Sequence, residues 1–297
     1  MILYLPRVWP LKSKAVNAGY DRETRIHAGR CDNHRRRVVR SITRMRSKSS
    51  HADRRFLAAE LGGPGQQAVL GADEAHHLTR VLRLGTGDRV GVFDGRGREF
   101  IAEVVRASHD RVVVTLLQPV EPAAEARVPF AIVQAVLKGP AMEAVVRDAT
   151  MVGAAAVEPV ITSHVAVKAS IISGPGMLDR WRRIALTSAK QCRRAVVPDV
   201  RPPRPFPDWL SSARQELRLI LVEPSAGTGT LSFRKLRDRR TPATAALVVG
   251  PEGGWDRQEI EAALAAGCVP ISLGTLTLRA DAVALAAGAV FRSVWED

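Results

Sequence analysis

The sequence predicts an α/β protein: a C-terminal domain built on a parallel sheet, preceded by a small β-rich domain. Three observations carry this. Beyond residue 128, short apolar runs alternate with amphipathic stretches, FAIVQAV with MEAVVRDATMVG and AAVEPVIT with LDRWRRIALTSAKQCRR. Strand and helix in that rhythm call for parallel strands covered on both faces. Between residues 87 and 120, Val, Phe and Ile crowd between GD, DGRG and SHD turns, the texture of antiparallel strands. The PVEPAAEARVP stretch, with three prolines, separates the two textures. The expected boundaries are 1–50 for a basic leader, 54–118 for the β-rich domain, 119–127 for a linker and 128–297 for the α/β domain.

Taken in order, RRFLAAEL precedes a short strand-like AVLG and a helical DEAHHLTRVLRL, capped by Asp73 and stopped by Gly85. Three or four antiparallel strands follow. In the α/β domain, FAIVQAV is a buried strand and the first helix ends at Gly153. The next helix has Asp179 near its start and Arg193 and Arg194 in its last turn, where cations suit the dipole. LRLILVEP and AALVVG are further strands. Asp256 caps a helix, with Glu259 three residues on completing a capping-box-like pair, and Gly267 ends it. CVPISLG is a strand closing on Gly274, and a last helix runs from about Leu278 to Trp295.

Composition bounds the function classes. The 297 residues are 46% apolar and 25% charged, an ordinary globular balance with material for one large domain or two modest ones. No run approaches the ~18 apolar residues of a membrane helix, so no membrane partner is expected. Cys31, Cys192 and Cys268 stand far apart without a CxxC or a Cys/His cluster. Neither a disulfide scaffold nor a metal is expected, and a reducing, cytoplasmic location fits. The net charge of +14 is unevenly placed. The first 50 residues hold thirteen Lys/Arg against Asp21, Glu23 and Asp32, a net +10, which leaves +4 for residues 51–297. Three readings of the leader stand: an RNA-binding arm, a targeting peptide interrupted by Pro6 and Pro10, or sequence upstream of a true start at Met45. On each it is expected to be disordered.

The stretch with chemical content is ALVVGPEGGWDRQEIEAALAAGCVPISLGTLTLRADAVALA. A buried strand runs into Gly250-Pro251-Glu252-Gly253-Gly254, and glycines at the carboxyl end of a parallel strand lie where α/β proteins bind ligands. No Lys-Ser/Thr follows, so the loop is not a P-loop, and it is not GxGxxG. Alone it is compatible with a simple turn. A second glycine-closed strand, Ile271 to Gly274, some twenty residues on gives a pair of loops able to pinch a flat adenine.

GPEGGWDRQEIEAALAAG, VPISLG and LTLRADAVA in this order resemble the SAM-binding end of the RsmE family, ribosomal RNA uridine-N3 methyltransferases of the knotted SPOUT class. Arg54-Arg55-Phe56 and HHLTRVLRLGTGDRVGVFDGRG are similar to that family's PUA-like N-terminal barrel, and the likeness extends over residues 54–295. The resemblance implies a SPOUT-type knotted α/β methyltransferase domain after a PUA-like RNA-binding β-barrel, working as a homodimer. It places S-adenosyl-L-methionine (SAM) against Val249, Gly250, Pro251, Glu252, Gly253, Gly254, Leu273, Gly274, Leu278 and Arg279. It implies methylation of N3 of a uridine in 16S rRNA, on the assembled small subunit. The alternatives are a catalytically silent RNA-binding or assembly factor of the same fold and a nucleotide-binding enzyme unrelated to RNA.

That chemistry needs a deprotonated uracil N3 held in line with the methyl donor, and a cation near the developing anion. Arg279 is the first candidate for the cation, or else a phosphate clamp; Glu252 and Asp281 are candidate bases. Each carboxylate has a structural alternative: Glu252 as an anion favouring the following helix terminus, Asp281 as N-cap of the last helix. The chain departs from the family at Asp148 and Met151, where Lys and Glu are usual, at Lys190, where an acid is usual, and at Asp281-Ala282, where Glu-Thr is usual. Shortening Glu to Asp withdraws the carboxylate by one methylene.

Candidate RNA contacts are Arg54, Arg55, Arg80, Arg83, Lys138, Lys190, Arg193 and Arg194, with Arg182 and Arg183 upstream of the last group. Arg80 and Arg83, three apart, are expected on one helix face. The alternative for each cluster is a solvated face, and phosphate contacts of this kind position RNA without specifying it. His76 and His77 diverge on a helix, which suits packing better than a metal pair. Trp255 either stacks on a base or packs near a helix start.

Overall fold

The computed structural model describes residues 54–166, 176–223 and 229–296. The basic leader, with Cys31 in it, lies outside the described residues. The first part of the chain is a five-stranded sheet of β1 (Arg55–Leu57), β2 (Gln67–Leu70), β3 (Arg89–Phe93), β4 (Glu99–Ala107) and β5 (Val112–Val120), in the order β1–β3–β4–β5–β2. β2 to β5 pair antiparallel, and β1 adds a parallel edge beside β3. Phe56, Leu70, Val90, Val104, Val114 and Leu116 face one core, closed by Leu78 from the helical segment. Each such buried side chain is worth about 1.5–3 kcal/mol.

That helical segment differs from expectation. α1 spans only Ala72–His76, with Gly71 rather than Asp73 at the N-cap, and passes into a π-helical turn over His77–Val81. The Thr79 hydroxyl donates to the Ala75 carbonyl at 2.8 Å, a competing bond that bends helices. Arg83 follows in a left-handed conformation, φ 54°, so Arg80 and Arg83 do not share a helix face. His77 packs its ring 5.9 Å from that of Phe56.

The second sheet has eight strands, all parallel where they pair. Its main path is β11 (Leu231–Ser232), β13 (Val269–Ser272), β10 (Leu217–Leu221), β12 (Ala245–Val249), β6 (Phe130–Ala135), β7 (Ala156–Ile161) and β8 (Asp199–Val200); β9 (Arg204–Pro205) also pairs with β7. The central strands β6 and β12 are buried throughout and almost wholly apolar, because both of their faces are covered. Phe130, Ile132, Leu247 and Val249 point to a core shared with α2 (Pro140–Met151), α3 (Met177–Gln191) and α6 (Ala280–Trp295). Ala131, Val133, Ala246 and Val248 point to the opposite core, under α4 (Phe206–Ser212) and α5 (Arg257–Ala265). The capping box of α5 forms as read: Asp256 accepts from the backbone of Gln258, and Glu259 accepts from the Asp256 amide at 3.1 Å. β13, the last strand in sequence, is inserted between β10 and β11.

Two boundaries move. α3 ends at Gln191, so Arg193 (φ 64°) and Arg194 lie beyond it rather than in its last turn. The proline-rich stretch is not a loose tether: β5 runs to Val120, and Glu125 holds the buried Arg194. Cys192 and Cys268 are free thiols, and burial pushes that of Cys268 up. Among the described residues no helix is long and apolar enough to cross a membrane.

Candidate active site

At the carboxyl end of the parallel sheet, the loops after β12 and β13 face each other across a cavity of 370 Å³. That volume falls in the range of small-molecule sites. Val249, Gly250, Pro251, Glu252 and Gly254 form one wall, and Leu273, Gly274, Leu278, Arg279 and Asp281 the other. Leu137, Leu221, Val222 and Glu223 complete it from the ends of β6 and β10. These last residues were not legible in the sequence. Their signal was the carboxyl end of a strand at LRLILVEP, but only the strand order puts β10 between β12 and β13.

The first loop is held from several sides. The buried Gln134 donates through Nε2 to the Gly250 carbonyl at 3.0 Å, and the Lys138 amide donates to Glu252 Oε1 at 3.1 Å. His164 Nδ1 lies 3.2 Å from the Gly254 carbonyl. A Cβ at Gly250 would stand 3.0 Å from the Trp255 ring, so the backbone lies against the indole. Trp255 packs 5.0 Å from Phe206 and donates its N–H to the Leu221 carbonyl at 2.9 Å. It is thus a structural wall of the cavity at the entrance to α5. Gly253 departs from the expected set: its Cα faces His164, where a Cβ would come within 3.0 Å, and it does not line the cavity. Gly254 (φ 72°) and Gly274 (φ 119°) hold backbone conformations that side chains disfavour.

The second wall carries Arg279 and Asp281, opposite Glu252 of the first. Arg279 occupies the N-cap position of α6, and its Nε and Nη2 each lie 3.2 Å from a carboxylate oxygen of Asp281. The guanidinium is 84% exposed and points out at the rim. The N-cap position, the structural alternative for Asp281, is held by Arg279 instead; Asp281 lies in the first turn, where it also accepts from the Ala282 amide at 3.1 Å. An acid there suits the helix dipole.

The structure withdraws three of the expected RNA contacts. Arg55 is 5% exposed and spends every donor internally: on Glu99 at 2.8 and 2.7 Å, and on the carbonyls of Ala189, Lys190 and Arg194. Arg194, also 5% exposed, is held by Glu125 and by the Thr150 and Ala154 carbonyls. Lys190 is ion-paired with Glu74 of α1. Arg55 and Lys190 join the β-rich part to the α/β part, while Arg194 ties Glu125 to the Thr150 and Ala154 carbonyls; the two arginines have no donor left for a phosphate, and the Lys190 charge is already paired. Asp148 is likewise committed, to Arg147 at 2.7 Å, a bond that raises the guanidinium pKa. Arg54, Arg80, Arg83, Lys138 and Arg193 are exposed.

A parallel sheet with a glycine-lined cavity at its carboxyl end, preceded by a small β-rich domain, defines a two-domain α/β protein with a small-molecule site at the sheet's carboxyl end. The RNA methyltransferase domain model matches residues 124–292 and the RNA methyltransferase PUA domain model residues 70–117; the chain belongs to this RNA methyltransferase family. The fold class is the one expected, an α/β SPOUT-type domain with a separate PUA domain. Ribosomal RNA small subunit methyltransferase E of Synechocystis sp. is 33% identical over 207 residues, which cover 70% of this chain and 66% of that protein. The protein of the same name from Mycobacterium tuberculosis is 30% identical over 256 residues, covering 81% of this chain and 93% of that protein. A putative methyltransferase from Legionella pneumophila, solved with SAM, superposes with a TM-score of 0.73 at 29% identity, covering 80% of this chain and 96% of that chain. Ribosomal RNA small subunit methyltransferase E from Neisseria gonorrhoeae, bound to S-adenosyl methionine, does so at 0.72 and 27%, covering 82% and 98%.

Proposed function

We propose that this chain transfers a methyl group from SAM to N3 of a uridine in 16S rRNA, on the assembled small subunit. The observation that supports this most is the cavity pinched between the loops after β12 and β13, with Arg279 and Asp281 at its rim. The residues fit the cofactor: backbone at Gly250 and Gly274 for a flat base, apolar walls from Leu221, Leu273 and Leu278, and the carboxylates of Glu223 and Glu252 for its hydroxyls and amine. SAM supplies an electrophilic methyl on a cationic sulfonium. The chain's own residues do the rest. Arg279 stabilises the negative charge that grows on the uracil as its N3 proton leaves. Asp281 or Glu252 accepts that proton, and the two loops fix the approach distance.

Arg54, Arg80, Arg83, Lys138 and Arg193 are the phosphate-positioning set that remains exposed. A second copy of the chain covers the cavity mouth in this reading, because Leu276 (78% exposed) and Leu285 (38% exposed) leave apolar surface on the second loop and α6. The site of action is the cytoplasm, where small subunits assemble.

A second reading, a catalytically silent RNA-binding or assembly factor, is favoured by one observation: the Asp281 carboxylate is already engaged by Arg279 and the Ala282 amide. Methyl transfer from labelled SAM to purified small subunits, followed by nucleoside mass spectrometry, separates the two. N3-methyluridine formation with saturable SAM binding is expected; SAM binding without transfer to subunits or naked rRNA favours the silent factor.

Gly274→Ala tests the second loop. No atom beyond its chain neighbours lies within 4 Å of the added methyl, so the penalty is the backbone at φ 119°, about 1–3 kcal/mol, which the free loop escapes by relaxing and SAM binding has to restore. Calorimetry is expected to show SAM affinity reduced about tenfold, since 1.4 kcal/mol is a factor of ten. Wild-type affinity would remove this loop from the cofactor site.

A further inference from the structure

We infer that the surface formed by residues 234–240, which follow the edge strand β11 of the α/β sheet, is a further binding surface for the phosphate backbone of the substrate RNA, separate from the β-rich domain; this rests on the RNA-modifying reading above. The run is Arg234, Lys235, Leu236, Arg237, Asp238, Arg239 and Arg240. Its net charge is +4, the same as that of the whole of residues 51–297, so the remainder of that part of the chain is balanced. Its scaffold is rigid: Phe233 and Leu236, on the short 3-10 helix Phe233–Leu236, are buried in the main core. All five cations are exposed.

The position of the run connects it to the cavity. β11 runs parallel to β13 with Ser232 opposite Ser272, so it points toward the same end of the sheet as Leu273 and Gly274 of the cavity wall. The stripe therefore starts at that end. From there it passes the end of α6, where Arg237 donates to the Ser293 carbonyl, to Arg240, which pairs with Glu216 just ahead of β10, the third strand in from that edge. Five strand residues separate the two ends, roughly 17 Å at about 3.3 Å per residue.

Like charges this close repel one another, and the fold does little to relieve them. Arg240 has Glu216, and Arg237 donates to the Ser293 carbonyl. Arg234, Lys235 and Arg239 have no side-chain partner among the described residues. The contrast with Arg55, Lys190 and Arg194 is chemical: those cations are consumed by internal carboxylates and carbonyls, whereas these present open donors to solvent. A row of guanidinium and ammonium groups suits a polyanion with repeated phosphates, which Arg grips bidentately. An anionic lipid surface fits less well, because the run's large apolar side chain, Leu236, is buried and has nothing to insert.

The test replaces Arg234, Lys235 and Arg239 together by Gln and measures affinity for purified small subunits and for 16S rRNA over a salt series. Each lost phosphate contact lowers the slope of log affinity against log salt by about 0.7–0.9, so a decrease of about 2 to 3 is expected, with roughly tenfold weaker binding near 0.1 M salt. KM for subunits should rise with kcat and SAM affinity unchanged, and the melting temperature should match wild type. An unchanged slope and KM overturns the proposal, as does a loss confined to phosphatidylserine vesicles. A wild-type protein that binds rRNA but transfers no methyl refutes the proposed reaction and leaves the salt slope to decide the stripe.

Discussion

Replacing Arg55 by alanine is expected to lower stability by about 3–5 kcal/mol, the usual cost of removing one partner of a buried ion pair. The side chain is nearly inaccessible and ties Glu99 of β4 to the carbonyls of Ala189 and Lys190 in the last turn of α3 and of Arg194 just beyond it. Its loss leaves a carboxylate, itself 7% exposed, without a counter-ion, and three carbonyls without this donor. For a chain of this size each kcal/mol moves the melting temperature by about 2–4 °C, so calorimetry should show a fall of roughly 10 °C or more. The paired change Arg55→Met with Glu99→Leu should recover much of the loss, because the cost lies in the orphaned charge rather than in the missing attraction. A single variant within 1 °C of wild type would show that the bridge contributes nothing. Were Arg55 a phosphate contact instead, stability would hold and the salt dependence of RNA binding would change.

Arg279→Ala should lower kcat for methyl transfer about 100-fold while leaving the chain as stable as before. Losing one preorganised group that stabilises transition-state charge costs about 2.7–4 kcal/mol in comparable sites. The guanidinium is 84% exposed and its partner is Asp281, itself accepting from the Ala282 amide, so folding does not depend on it. Arg279→Lys should restore part of the rate, since an ammonium keeps the charge and loses the fork. If Arg279 clamps phosphate, KM for small subunits rises and kcat stays. A variant with wild-type kcat and KM excludes both roles.

The two variants differ in how far they were legible. Element type was read well wherever both faces of a strand or one face of a helix met a core, because apolar periodicity records burial directly. Asp256 and Glu259 capping α5, and the loop at Gly250–Gly254 opening on a cavity, are local patterns of a few residues, and the structure reproduces them. The π-turn after His76 is not legible, since the apolar spacing of HHLTRVLRL suits an α-helix; the Thr79 hydroxyl bond does not distinguish it, because Thr150 and Thr187 make the same bond within regular α-helices.

Arginines were the least legible residues. The run around Lys190, Arg193 and Arg194 reads as one basic cluster, yet Arg194 turns inward to Glu125, 69 positions away, and Lys190 to Glu74, 116 positions away. Arg55 finds Glu99 and the end of α3 in the same manner. A charged residue's burial depends on partners brought by the fold, and no local pattern encodes them. The sequence by itself determined the two-domain α/β architecture, the paired glycine loops and the concentration of net charge, all of which are short-range properties of composition and spacing. The tertiary structure alone decided which strands neighbour β13, that Gly253 faces away from the cavity, and which cations remain open to solvent. Those outcomes depend on contacts between residues far apart in the chain, whose geometry is set only when the sheets close.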